Sequence, residues 1–195
     1  FQKIKQCMRI CDFSDARSDV TSKETKKAAL NELISVYSNP KLLGRLTREC
    51  HSSLIDMFAA NVFRPLPNIP RALLQFDEVT FEDSAWPHLN LIYILFLKFL
   101  DANIDPRILQ FQLTPRYITQ LFAVLDFPDE RERAQAKAVI SAIFNKVPPQ
   151  RPLLRIITTN LLSGVPEGVS VNATGHLLEL FFLFTAGTPP PLSPG

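Results

Sequence analysis

From Leu89 to Leu100 the chain offers almost no polar face. Leu89, Ile92, Tyr93, Ile94, Leu95, Phe96, Leu97, Phe99 and Leu100 crowd a stretch of helical length. Its start reads Ala85-Trp86-Pro87-His88. Asp83 and Ser84 can cap there, and Pro87 suits a first turn, where no backbone donor is needed. A helix apolar nearly all round has to be covered by other elements. The run is about half the length that spans a bilayer, and Lys98 lies inside it, so it predicts a buried helix and no membrane span.

The covering elements are predicted to be helices as well. Ile4, Cys7, Met8 and Cys11 form a helical stripe within Phe1–Phe13. Thr21 and Glu24 have capping-box spacing at the start of a second helix that carries Ala28, Ala29, Leu33 and Val36/Tyr37 on one face and ends at Pro40. Cys50, Leu54, Met57, Phe58 and Asn61/Val62 give the stripe of a third helix over Leu46–Phe63. A proline-and-acid-containing connection, Arg64–Asp83, leads into the apolar helix, and Ile104-Asp105-Pro106 breaks the chain after it. Thr114-Pro115 opens a fifth helix, and Pro128-Asp129-Glu130 a sixth whose inward face is Ala136, Val139, Ile140, Ile143 and Val147. Two more are expected near Arg151–Leu162 and Thr174–Thr185, separated by a loop over Gly164–Asn172.

No segment alternates as a half-buried strand does. Helical pairs recur at roughly 40-residue spacing, the period of HEAT-type repeats. The fold class read here is all-α, a HEAT-like helical-repeat solenoid, with one domain over 1–187 and a proline-rich tail over 188–195. The 6 glycines argue against a nucleotide-binding fold built on glycine turns, and most of the 16 prolines fall between periodic segments. Because the chain starts at Phe1 without a methionine, it is expected to be a piece of a longer solenoid.

The charge excludes little but points away from nucleic acid. At +2 the chain is near neutral, and Lys23, Lys26 and Lys27, interrupted by Glu24, read as a solvated helix face. Cys7, Cys11 and Cys50 form no disulfide or zinc pattern; free thiols in the cytosol or nucleus are expected. No signal peptide is visible. His51 beside Cys50 invites a nucleophile–base pairing, but adjacent helix residues do not face each other. His88 reads as a polar packing residue. No metal-ligand spacing, P-loop, G-x-S-x-G or Rossmann glycine pattern occurs, so no cofactor is implied. The run Asp129-Glu130-Arg131-Glu132-Arg133 reads first as helix-start electrostatics and second as a protein-docking edge.

Four segments point to one family. Ala28-Ala29-Leu30-Asn31-Glu32-Leu33, Met57-Phe58-Ala59-Ala60-Asn61-Val62-Phe63-Arg64-Pro65-Leu66-Pro67, Ala85-Trp86-Pro87-His88-Leu89 and Asp129-Glu130-Arg131-Glu132-Arg133 occur in this order. Together they closely resemble the B-prime family of regulatory subunits of protein phosphatase 2A, over almost the whole chain and about the first half of a family domain. The resemblance implies a curved stack of HEAT-like pairs and a non-catalytic role. It implies docking on the phosphatase scaffold and catalytic subunits. It also implies recruitment of substrates that carry a short leucine/isoleucine–glutamate linear motif, with dephosphorylation left to the catalytic subunit.

The family's motif pocket, carried over residue by residue, falls on Ser141, Ala142, Phe144, Arg151, Leu180 and Phe184. Leu180 and Phe184 keep its apolar floor, and Arg151 keeps a cation for an acidic peptide residue. Phe144 stands where the family has a tyrosine. Ser141 and Ala142 stand where it has histidine and arginine, and Ser193 where it has lysine. Each charge-assisted bond lost is worth about 1.5–3 kcal/mol. Either a less acidic peptide binds here or the pocket has been abandoned. Three functional readings follow: a phosphatase 2A regulatory adaptor, a divergent HEAT-type scaffold that no longer binds the phosphatase, and, last, a thiol hydrolase at Cys50.

Overall fold

A computed structural model describes residues 1–15, 17–65, 81–167 and 171–186. Among them every regular element is helical. The helices are α1 (Gln2–Cys7), α2 (Val20–Tyr37), α3 (Pro40–Leu43), α4 (Arg48–Val62), α5 (Trp86–Asp101), α6 (Pro106–Gln112), α7 (Pro115–Ala123), α8 (Glu130–Lys146), α9 (Arg151–Gly164) and α10 (Thr174–Thr185). The proline-rich tail expected over 188–195, with Ser193, lies outside the described residues, as does most of the Arg64–Asp83 connection.

Local chemistry explains most of the helix starts. The side chains of Asn39, Thr47, Asp105, Thr114 and Asp129 each accept a hydrogen bond from a backbone N–H of the turn they precede. Such a cap is worth about 1 kcal/mol. Pro40, Pro87, Pro106, Pro115 and Pro152 sit in first turns. Two of these prolines correct the sequence reading. Pro40 and Pro106, expected only to end or break helices, open α3 and α6, because Asn39 and Asp105 supply caps directly before them. The capping box at Thr21 and Glu24 is also corrected. Helix α2 begins two residues earlier, behind Asp19, whose φ of 54° places it in the left-handed region. Its carboxylate accepts from the Asp12 amide at 3.3 Å and caps nothing in α2.

Packing arranges the helices in two rows. In one row α2 lies against α5, α5 against α8 and α8 against α10; in the other α1 lies against α4, α4 against α6 and α7 against α9. Three contacts fix the direction of the first row. His88 Nε2 meets the Lys23 carbonyl at 2.9 Å, joining the first turns of α2 and α5. Lys146 Nζ donates to the Asp101 carbonyl at 3.2 Å, joining the last turns of α5 and α8. Phe144 stacks on Phe184 with centroids 4.2 Å apart, joining the last turns of α8 and α10. Helices α2, α5, α8 and α10 therefore run parallel, with helices of the other row returning the chain between them. This is the arrangement of a helical-repeat solenoid, in which each unit buries its apolar stripe against its neighbours.

Helix α5 occupies the middle, packed against α2, α4 and α8. Phe96 stacks on Phe58 at 4.0 Å and on Phe99 at 5.5 Å, and Phe99 meets Tyr37 edge-on. Each such buried ring contributes roughly 1.5–3 kcal/mol. One continuous core runs from Ile4 to Phe184. No described helix is long and apolar enough to cross a membrane.

Candidate functional site

Helices α8, α9 and α10 carry every residue assigned to the motif pocket. Ser141, Ala142 and Phe144 lie on the last turns of α8, Arg151 opens α9, and Leu180 and Phe184 lie one turn apart on α10. The apolar members come together tightly. Phe144 and Phe184 stack nearly parallel, at 18°. Leu180 and Phe184 are each only 1 % exposed, so they belong to the core and form no open floor. Ala142 is half-buried and packs against that core.

The polar members stay at the surface. Ser141 Oγ donates to the Lys137 carbonyl one turn earlier at 2.9 Å, a bond within its own helix. Arg151 Nε donates to the Phe144 carbonyl at 2.9 Å, covering a carbonyl that the end of α8 leaves open, and its guanidinium lies 5.1 Å over the Phe144 ring. One residue of this corner escaped the sequence reading. Arg155, one turn after Arg151, donates from Nε to the Phe184 carbonyl at 3.0 Å and also lies over Phe144, at 5.4 Å. Its i+4 spacing from Arg151 was the available signal. Among the described residues neither guanidinium has a carboxylate partner, so two cations flank one aromatic ring.

A second cluster ties three family segments together. Arg64, just past the end of α4, donates to both oxygens of Glu132 at 2.7 and 2.6 Å and to Asp83 at 2.7 Å. The Tyr93 hydroxyl donates to Glu132 at 3.2 Å. Asp129 accepts from the Asp83 amide and from the Arg131 side chain, and Arg131 lies 5.1 Å over Trp86. Burial works against the charge of Asp129, but its bonds to Arg131 and to the Asp83 amide outweigh it and hold the carboxyl below the usual range. Burial pushes Glu132 above that range, although Arg64 pulls the other way. The acid-arginine run is thus mainly an internal clasp. Glu132 is wholly buried, and Arg133 is spent on the Phe127 and Pro128 carbonyls.

The remaining candidates are structural. His51 Nδ1 meets the Tyr37 hydroxyl at 3.2 Å, while Cys50 pairs with Thr47 Oγ1 at 3.4 Å; the two do not address each other. His88 is buried against Phe13, as its reading as a packing residue anticipated. Lys26 departs from its expected place on a solvated face and is turned inward, only 4 % exposed.

Comparison with known proteins follows the same segments. The sequence model of the protein phosphatase 2A regulatory B subunit, B56 family, matches residues 1–194. The human 56 kDa regulatory subunit alpha isoform of serine/threonine-protein phosphatase 2A is 35% identical over 183 residues, covering 92% of this chain and 37% of the human protein. The delta 1 isoform of Schizosaccharomyces pombe is 34% identical over 186 residues, covering 92% and 33%. Regulatory subunit pptr-1 of Caenorhabditis elegans is 37% identical over 185 residues, again covering 92% and 33%. The chain spans about a third of the length of these relatives. With its family segments joined in one clasp and its helices in two packed rows, the chain belongs to the B56, or B-prime, family of protein phosphatase 2A regulatory B subunits.

Proposed function

We propose that this chain serves as a non-catalytic regulatory subunit of protein phosphatase 2A, docking on the scaffold and catalytic subunits and directing substrate choice in signalling. The observation that carries this reading is the family match over residues 1–194. Further support comes from the two-row helical stack, a form suited to holding partner proteins along an extended surface. The three buried free thiols suit a reducing compartment, the cytosol or nucleus. The test is gel filtration of the purified chain with a purified scaffold–catalytic heterodimer. Co-elution as a stoichiometric complex is expected. Separate elution would favour the divergent scaffold that no longer binds the phosphatase.

For the motif pocket the reading is loss of strong acidic-peptide binding. Three basic residues expected from the family are absent at Ser141, Ala142 and Ser193. The apolar pair Leu180 and Phe184 packs inward beneath Phe144. Arg151 and Arg155 leave a residual cationic corner for a weakly held acid. Titration with a labelled leucine/isoleucine–glutamate peptide tests this; micromolar binding that depends on Arg151 would overturn it.

A further inference from the structure

Lys26 is the one buried charged side chain, among the described residues, that has no opposite charge beside it. Asp129 has Arg131 and Glu132 has Arg64. Lys26 Nζ instead donates to two neutral acceptors, the Arg9 carbonyl at 2.7 Å and Asn61 Oδ1 at 2.5 Å. The Asn61 amide is fixed in that orientation, because its Nδ2 donates to the Cys7 and Met57 carbonyls at 3.0 and 2.7 Å. An ammonium has three N–H donors, so one remains. Burial holds this ammonium below its ordinary pKa, as expected for a cation without a counter-ion. A buried, unneutralised charge is costly, and in folded proteins such charges are ordinarily paired.

Lys26 lines an open pocket of about 190 Å³ together with Arg9, Gln6, Cys11, Thr21, Ser22 and Thr25. The walls bring a second cation, Arg9, and the hydroxyls of Thr21 and Ser22, while the Thr25 hydroxyl donates to the Thr21 carbonyl within α2. Thr21 and Ser22 also belong to the first turn of the 18-residue helix α2, which has no side-chain cap. First-turn amides without a cap are donors in search of an acceptor, at the positive end of the helix dipole. One acid, Asp19, reaches the pocket's edge through Arg9 and does not pair with Lys26. One oxygen takes the Asp12 amide, and the other lies 3.8 Å from Arg9 as a loose surface pair.

We propose that this pocket, between the end of α1 and the first turn of α2, binds a small oxyanion of the phosphate class, held by Lys26, Arg9 and the hydroxyls of Thr21 and Ser22. The anion neutralises Lys26 and caps α2, so it stabilises the start of the stack. The site lies far along the chain from the α8–α10 corner and does not depend on the role given to that corner or on phosphatase docking.

The test uses the 195-residue chain, with inorganic phosphate as the probe. Thermal unfolding and calorimetric titration are run against potassium chloride at matched ionic strength. A saturable rise in Tm with phosphate and one binding site are expected. Arg9→Gln, at an exposed side chain that leaves the core untouched, should weaken binding by about tenfold or more, the equivalent of one charge-assisted hydrogen bond. Lys26→Met should abolish it. If that variant does not fold, Arg9→Gln and Ser22→Ala still decide the matter. A second arm uses a short phosphoserine peptide. Tighter binding than inorganic phosphate assigns the site to a phosphoryl group on a chain, and equal or weaker binding to the free ion. A Tm rise matched by chloride, or unchanged phosphate affinity in Arg9→Gln and Ser22→Ala, overturns the proposal.

Discussion

Arg64 grips Glu132 with both terminal nitrogens, at 2.7 and 2.6 Å, across 68 residues of sequence. The pair joins the end of α4 to the first turn of α8, and Asp83 adds the start of α5 to the same guanidinium. Three consecutive units of the stack are therefore held at one point. Glu132 is wholly buried, so the value of the pair lies less in net attraction than in the penalty for breaking it.

Removing one partner should show that penalty. Arg64→Met is expected to destabilise the chain by about 3–5 kcal/mol, because it strands a buried carboxylate. The double variant Arg64→Met/Glu132→Leu should recover most of the loss. Urea unfolding of the three proteins checks this; a double variant as unstable as the single one would refute the stranded-charge explanation.

Alkaline pH should report on Cys7. Burial pushes its thiol up to about 11, with Lys26 pulling the other way. Between roughly pH 9 and 11 the unfolded chain loses this proton while the folded chain keeps it. The folded state then binds more protons, so stability falls as pH rises through that window. Two pKa units correspond to about 2–3 kcal/mol. Unfolding free energies for the parent and Cys7→Ala should therefore converge on going from pH 8 to pH 11. A constant difference across that range would mean that the folded thiol ionises freely.

The phase of α10 can be read by paired substitutions. Leu177 is fully buried and Phe182 is 68 % exposed on the other side of the helix. Leu177→Ala should cost about 2–5 kcal/mol, whereas Phe182→Ala should change stability by less than about 0.5 kcal/mol. Comparable losses at both positions would show that the outer face is covered in solution.

Restoring the family's basic residues tests the weakened pocket. Ser141→His with Ala142→Arg should raise affinity for an acidic leucine/isoleucine–glutamate peptide by about tenfold or more, at roughly 1.5–3 kcal/mol for each charge-assisted bond regained. The long arginine stem can lie along the half-buried surface at 142 with its head in water. Fluorescence anisotropy measures the gain, and Arg151→Met in the restored background should remove it. No gain would mean that the inward packing of Leu180 and Phe184, and not the missing charge, closes the site.

By itself the sequence determined eight of the ten described α-helices, some of their starts and the family. Periodic apolar spacing, Thr114 and Asp129 before their turns, and the Met57–Pro67 and Ala85–Leu89 runs are local signals, carried by neighbours along the chain. Only the tertiary structure decided which charged residues turn inward. Lys26 reads as solvated helix surface and Glu132 as helix-start electrostatics, and nothing near them in sequence reveals the Asn61 carbonyl or the Arg64 fork that await them. The same holds for the pocket positions. Spacing places Leu180 and Phe184 on one face of α10, but the Phe144 ring from α8 makes that face core. A helix fixes the direction of its side chains relative to its own axis; what each face meets is set by the neighbouring helix packed against it.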